Sequence, residues 1–587
     1  MTESIKQFAK PLPEWRLLKF DEQKISMIRD YFDCSDYMAR GLLSINLDDK
    51  KEIDEFLNPK IEKWLNDPVF PSMEKGVKLL AELVKNKKKI CVHGDFDTDG
   101  IFSTVTLMMC LEACGCECVP YIPSRSEGHG LSLSSLEKIK SMNVDVVISV
   151  DCGINAIEEA QFLSENNIDL IITDHHLPDA ELPKALAIVN PQLDDQDEYK
   201  MLSGAGVAYR MGILLCNLLP QEMISKEKFL KFMINGHVCS AIATIADVVP
   251  LVGYNRILVY SALEKIQNCE LPGIKKLLSV AGLKGNITAE DLAFQLIPRM
   301  NAAQRMASEG LVWELLNCRD EDRIREICNS LNDLNNQRKS LQKEHFEKVL
   351  KKCNEKFSKT GIPEAIVICG DEWTEGISGL IASNLVEMYH RPVCVILVNG
   401  DSGLASCRAP SHYHLKNALD QCSEFLISYG GHSGAAGFKI ELNKEAEFTT
   451  AFETIMKVQR EEMTVEAQNP KVSIVSEVNL QMMNERFVEE ISRLEPFGKD
   501  NAKPLFAMRG LLIDGNVKYI GADKTHVIIS FFKQGQNSVS TIGFGMAQDL
   551  RAIDHYGRFD IVFTAGISKF NNKVQLQLKA IRQHKRK

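Results

Sequence analysis

The sequence predicts a multidomain α/β protein: a doubly wound parallel-sheet domain, a long connecting helix, a second α/β domain and a C-terminal, OB-like β-barrel. Three observations predict it. From about residue 71, short Val/Ile-rich runs alternate with helical stretches, the pattern of a parallel sheet covered on both faces. A charged stretch from roughly 320 to 357 carries Leu331, Leu334, Leu341 and Val349 at partial helical spacing. Beyond about residue 465, AMRGLLIDGNVKYIG, HVIISFFKQG and KVQLQLKAI are short strands with turn signals, which suits a small barrel.

Taken in order, residues 1–70 read as an N-terminal helical extension with a Pro-rich entry, packed on the adjoining sheet domain. That first sheet domain spans 71–318. Its strands are KKICVHGDFD, VDVVISVDCGI, IDLIITDHH and ALAIVNP, with helices between them and a mostly helical stretch after 201. Residues 319–358 form the connecting helix. Its heptads are not sustained, which favours a connector in a monomer over a dimerising coiled coil. The second α/β domain, 359–460, opens with GIPEAIVICGDEW, and residues 461–587 form the barrel. A chain of 587 residues is too long for a single core.

Composition narrows the class without choosing a function. With 45% hydrophobic and 25% charged residues, the chain reads as ordinary and globular. No apolar run approaches the roughly 20 residues that span a bilayer. The start, MTESIKQFAKPLPEW, lacks a signal-peptide layout, so a cytoplasmic protein without membrane attachment is expected. The net charge of −10 argues against wholesale coating of nucleic acid and leaves room for a local basic groove. Cys110, Cys114, Cys116 and Cys118 raise the question of zinc, but no second ligand pair has suitable spacing. Free, mostly buried thiols in a reducing cytoplasm are the expectation.

The acidic and histidine residues fall at strand ends. The first strand ends in His93, Asp95, Asp97 and Asp99, the second at Asp151, and the third in Asp174-His175-His176. Ligands of a parallel sheet bind beyond the carboxyl ends of its strands. Any one of these aspartates alone reads as a helix N-cap. Together they would repel one another unless cations neutralised them. Asp247, in the apolar segment AIATIADVVPL, is a further candidate ligand. Mixed His and Asp ligands suit Mn²⁺ better than an all-oxygen Mg²⁺ cage. Two such ions can serve displacement at phosphorus.

These motifs, in this order, resemble the DHH phosphoesterase superfamily, named for the element seen here as Asp174-His175-His176. The resemblance implies that His93 and Asp97 hold one metal and that Asp99, His175 and Asp247 hold another, with Asp151 bridging. It implies catalytic roles for His176, facing the scissile phosphate, for Asp95 within the site, and for Asp174, which orients its neighbours. The segment Gly430–Gly437 resembles that of a DHHA1 domain, with Gly431 approaching phosphate and His432 touching substrate.

Three further segments resemble the RecJ family: Ser203-Gly-Ala-Gly206, Arg299-Met-Asn-Ala-Ala-Gln-Arg305 and Leu494-Glu-Pro-Phe-Gly498. The likeness runs from about residue 70 to the end. Gln304 departs from the family's usual Gly, and Ala405-Ser406-Cys407-Arg408-Ala409 replaces Gly-Ser-Ala-Arg-Ser. The implied activity is 5′→3′ exonucleolytic hydrolysis of single-stranded DNA to mononucleotides, in repair and recombination, with two Mn²⁺ or Mg²⁺ ions. Arg125, Arg299, Arg305, Ser406 and Arg408 would bind the 5′ phosphate, and Lys518, Phe531, Phe532 and Lys533 are barrel candidates for the strand. Implied partners are a single-strand-binding protein and a helicase. The rival readings are a phosphodiesterase for short or cyclic oligonucleotides, a manganese pyrophosphatase, and a metal-free DNA-binding scaffold.

Overall fold

The computed structural model describes residues 13–584 apart from 465–467, 469, 522, 552, 554–555 and 569–571, so most of the stretch inspected for a leader lies outside it. The chain divides into two compact units. The first comprises Arg16–Pro298, Val312–Cys328 and Ser473–Lys587, and the second is mainly Arg299–Leu311 and Asn329–Val472.

The first unit holds a five-stranded, all-parallel sheet. Its strands are β1 (Ile90–Gly94), β2 (Cys118–Tyr121), β3 (Val146–Val150), β4 (Asp169–Thr173) and β5 (Ala187–Val189), in spatial order β2-β1-β3-β4-β5. β1 and β3 are buried throughout, as a sheet covered on both faces requires. The register aligns Gly94 with Val150 and Val150 with Thr173. The next residues along each strand, Asp95, Asp151 and Asp174, therefore emerge at one edge. Helix α1 (Thr98–Ala113) comes after β1, and α2 (Gly204–Leu218) and α3 (His237–Ala246) pack with it. The continuous helical stretch Lys226–Ala246 is long and apolar enough to cross a membrane by length and composition, but most of it is buried as a core element.

The N-terminal helices Glu22–Phe32, Asp36–Ser44 and Lys50–Leu57 do not pack on the adjoining sheet. Ile28, Met38 and Phe56 share one core with Phe487, Phe506 and Phe563 of the C-terminal region. Only Trp64 and Phe70, further along, join the sheet's core. Burying the apolar stripes of three short helices against barrel residues stabilises both partners, since neither has a large core alone. The segment Leu494–Gly498 is also pinned to the sheet side of this unit. The buried Arg256 guanidinium donates to the carbonyls of Phe56 and Leu494, each at 3.0 Å. A Cβ on Gly498 would come within 2.5 Å of Leu251, so only glycine fits that approach.

Helix α4 (Glu321–Thr360) is one 40-residue helix, as its charge pattern implied. The second unit contains a mixed five-stranded sheet: β6 (Ile366–Gly370), β7 (Val393–Asn399), β8 (Ser402–Arg408), β9 (Leu426–Gly431) and β10 (Ala435–Glu441), ordered β9-β10-β8-β7-β6. Helix α5 (Glu375–Tyr389) packs on β7 and β8. In the first unit, strands β11 (Phe506–Ile520), β12 (His526–Phe532), β13 (Val539–Gly543), β14 (Phe559–Ile567) and β15 (Val574–Gln583) close a barrel. β11 pairs with both β12 and β14, so the ladder returns to its first strand.

Candidate active site

Strand alternation and helix caps explain how each ligand is presented. His93 lies at the end of β1, fully buried, its ring stacked on Tyr121 at 5.3 Å between centroids. Asp97 caps α1 by accepting from the Gly100 N–H at 2.9 Å. A Cβ at Gly100 would lie 2.5 Å from the backbone of Asp95, so the turn from strand to helix demands glycine there. Asp99, in the first turn of α1, is held by a second helix: the N–H groups of Gly204 and Ala205 donate to its two oxygens at 2.8 and 2.9 Å. A Cβ on Gly204 would sit 2.5 Å from that of Asp151. The Ser203-Gly-Ala-Gly206 motif is thus the N-terminus of α2 closing over the acidic cluster.

Asp151 takes a left-handed backbone conformation, with φ of 62°, and its N–H donates to the Thr173 carbonyl at 3.0 Å. Such a conformation is uncommon for a residue with a side chain and gathers at functional sites. His175 Nε2 stands 3.0 Å from Asp151 Oδ1, 3.8 Å from Asp247 Oδ2 and 3.9 Å from Asp99 Oδ2. Asp99, His175 and Asp247 form one compact ligand trio, and Asp151, His175 and His176 form another. Among the described residues, no compact trio includes His93 or Asp97.

Asp174 organises the histidine pair without entering the trios. Its carboxylate accepts from the N–H groups of Ile154, His175 and His176 and from His176 Nδ1, the last at 2.8 Å. Although burial opposes its ionisation, these bonds hold Asp174 below the usual carboxylate range. Burial likewise opposes the imidazolium of His176, but the Asp174 carboxylate overrides it and raises His176 to about 9. Asn190 and Gln192 fix the backbone of the same turn by donating to the His176 and His175 carbonyls.

The donor set fits divalent cations. Nε2 of His93, Nε2 of His175 and Oδ1 of Asp151 are buried without a hydrogen-bond partner among the described residues, despite the 3.0 Å approach of the last two. The two atoms converge without the alignment of a hydrogen bond, as ligands of a shared cation do. Burial, then repulsion from Asp95, pushes Asp97 up to about 7. Burial, then Asp247, does the same to Asp99. Asp151 is driven further up, by burial first and Asp99 next. Burial lowers His93 to about 4 and also lowers His175, leaving both imidazoles neutral and able to coordinate.

His129 was not legible as a site residue. Its exposed ring packs on Phe96 and places Nδ1 2.9 Å from Asp95 Oδ2. The only sequence signal was its position between Gly128 and Gly130, both with positive φ. Arg125 lies nearby, its guanidinium 5.8 Å from the Phe96 ring centre.

The second unit gathers a different cluster at the N-terminus of α5. Ser406 and Arg408 alternate onto one face of β8. Ser406 Oγ is 2.9 Å from Ser378 Oγ, and a Cβ on Gly379 would lie 3.0 Å from Arg408 Nη2. Arg305 donates to the Gly376 carbonyl at 3.0 Å. Two guanidinium groups and two hydroxyls thus meet the free N–H groups of a helix start, the chemistry of an anion cradle. Ser378 was missed by sequence reasoning; its signal was the GISG sequence opening α5. Arg299 is tied instead to Asn332 on α4 at 3.2 Å. Gly431, with φ of 130° and its place for a Cβ 2.4 Å from Ala436, requires glycine, while His432 next to it is exposed. In the barrel Phe531 is core, fully buried, because strand alternation turns it inward. Lys518 is exposed, and Phe532 and Lys533 are half-buried.

Comparison with known proteins agrees with this geometry. Residues 89–241 match the DHH family N-terminal domain, 362–458 the DHHA1 domain and 475–582 the RecJ OB domain. The chain is 33% identical over 394 residues to the single-stranded-DNA-specific exonuclease RecJ of Escherichia coli, covering 65% of this chain and 68% of that one. It is 28% identical over 580 residues to that of Bacillus subtilis, covering 96% of this chain and 70% of that one. Among solved structures, RecJ from Thermus thermophilus in complex with Mn²⁺ superposes with a TM-score of 0.80 at 25% identity, covering 98% of this chain and 80% of that one. An exonuclease RecJ bound to manganese matches with a TM-score of 0.57 at 30% identity, covering 68% of this chain and 99% of that one.

Proposed function

Because the chain belongs to the RecJ family, we propose that it is a metal-dependent exonuclease that hydrolyses single-stranded DNA from the 5′ end to mononucleotides, in repair and recombination. The observation that carries this reading is the strand-edge cluster: buried carboxylates and neutral imidazoles with orphaned atoms, arranged as only cations would stabilise. His93 and Asp97 would hold one ion, Asp99, His175 and Asp247 the other, with Asp151 between them. Bound there, Mn²⁺ or Mg²⁺ supplies Lewis acidity, activating water and offsetting charge on phosphate oxygens.

The chain's own groups do the rest. Asp174 keeps His176 protonated and aimed, so an imidazolium faces the phosphate undergoing attack. The N–H groups of Gly204 and Ala205 hold Asp99 in place. Asp95, tied to His129, orders the mouth of the site. Selection of a 5′-phosphorylated end belongs to Arg305, Ser378, Ser406 and Arg408, with Arg125 and Arg299 as further phosphate contacts and Gly431 and His432 toward the strand. In this reading hydrolysis belongs to 71–318 and end recognition to 359–460, joined by 319–358, while 461–587 guides the strand and 1–70 buttresses the barrel. The enzyme acts as a cytoplasmic monomer beside a single-strand-binding protein and a helicase.

A time course on one oligonucleotide tests this, single- or double-stranded, labelled at either end, with Mn²⁺ or EDTA. Mononucleotides released from the 5′ end of single strands only, and stopped by EDTA, are expected. Tight binding without cleavage in Mn²⁺ would replace the proposal with a scaffold, and cleavage of very short oligomers alone with a small-substrate phosphodiesterase.

A further inference from the structure

Far from the strand edge, the opposite ends of α1 and α2 bring three thiols together. Cys110 lies in the last turn of α1, Cys114 caps that helix, and Cys216 lies near the end of α2. All three are almost fully buried. Cys216 Sγ stands 3.7 Å from Cys110 Sγ and 3.6 Å from Cys114 Sγ, and all three sulfurs lie within 4.8 Å of one another. The approach depends on Gly212, where a Cβ would come within 3.1 Å of Cys110 Sγ and 2.7 Å of Phe232. Spacing along the chain argued against a metal site because no second ligand pair lies near Cys116 and Cys118. The third ligand is supplied instead by Cys216, 102 residues beyond Cys114.

We propose that Cys110, Cys114 and Cys216 form a three-thiol binding site for a soft, thiophilic ion, with trivalent arsenic as the best-matched ligand. The sulfur spacing suits one small ion held by three sulfurs, since tetrahedral bonds of about 2.3 Å place their ends about 3.8 Å apart. Charge decides among soft ions. No charged side chain bears on Cys114 or Cys216 among the described residues. A divalent ion on three thiolates leaves a net charge of about −1 in an apolar core, which is costly. Arsenite leaves none. Its three hydroxyls depart with the three thiol protons as three waters, three As–S bonds replace three As–O bonds, and arsenic stays trivalent. Half-buried Cys116, two residues past the α1 cap, offers a thiol on the way in.

Occupancy would clamp α1 against α2, the helices whose other ends carry Asp97, Asp99 and the N–H groups that hold Asp99.

The test uses the full chain with Mn²⁺ present. Arsenite is titrated while melting temperature and free thiols are followed, and the arsenic X-ray absorption edge is recorded on the wild type. One arsenite per chain, three thiols masked out of 17, a raised melting temperature and sulfur-only neighbours are expected. Cys216→Ala and Cys114→Ala should each weaken binding by about a hundredfold or more, by removing a tethered ligand. Cys318→Ala, a thiol outside the trio, should change nothing. Oxygen neighbours in the wild-type edge, or unchanged stoichiometry in Cys216→Ala, would overturn the site. Uptake of Cd²⁺ in preference to arsenite would overturn the charge argument that selects the ligand. The wild-type edge spectrum decides even if a variant folds poorly.

Discussion

The strand-edge cluster of the first unit and the helix-terminus cradle of the second are both fitted to phosphate, with opposite charge. The first collects Asp95, Asp97, Asp99, Asp151 and Asp247 around neutral imidazoles and would repel DNA unless cations intervene. The second collects Arg305, Arg408, Ser378 and Ser406 at a helix start and attracts an anion unaided. Chemistry placed in the first must depend on metal, and end recognition placed in the second must not. Perturbing each cluster should therefore give separable defects.

The largest effect should come from Asp151→Ala, which removes the residue placed between both ions. A loss of at least about a thousandfold in cleavage is expected with the circular dichroism spectrum unchanged. Near-normal activity, after exhaustive removal of wild-type enzyme, would break the two-metal assignment. Gly204→Ala should come next, at about a hundredfold, because the added Cβ meets Asp151 and displaces the donors that hold Asp99. Calorimetric titration should show weaker Mn²⁺ binding in this variant while binding of a 5′-phosphorylated strand in EDTA persists.

Arg408→Ala should lower kcat/KM on 5′-phosphorylated ends about tenfold to a hundredfold and leave 5′-hydroxyl ends little changed. An equal loss on both ends would remove the cradle from end recognition. The smallest effect is on stability. Without cation, Asp97 and Asp99 titrate at about 7, above the carboxylate value of 3.8 in the unfolded chain. Between those values the native chain binds more protons than the unfolded one. Their contribution is therefore fully present below the unfolded value and is lost as pH rises through about 7. Mn²⁺ removes that penalty, so its increment in melting temperature should be larger at pH 8 than at pH 5.5. Equal increments would place the raised carboxylates outside the metal site.

Much of the site was legible because parallel strands speak locally. Once β1, β3 and β4 are recognised by their Val/Ile runs, their register puts the next residues on one edge, and those residues are Asp95, Asp151 and Asp174. The helix α4 and the barrel strands were legible for the same reason, since a period of 3.6 or 2 is written in consecutive residues. What escaped depends on neighbours far apart in the chain. His129 reaches Asp95 across 34 residues, and the N–H groups of Gly204 and Ala205 reach Asp99 across more than a hundred. The N-terminal helices pair with a barrel that begins more than 400 residues later. Phe531 looked like a stacking surface until strand alternation placed it inside.

By itself, then, the sequence determined the order of elements, the strand-edge ligands and the family, because each rests on short-range periodicity and on residue types that few other chemistries require. Tertiary structure alone decided which helix start secures Asp99, that Ser378 completes the cradle beside Ser406, and that Cys216 joins Cys110 and Cys114. Those contacts arise when surfaces bury against one another, and burial selects partners by shape and charge rather than by distance along the chain.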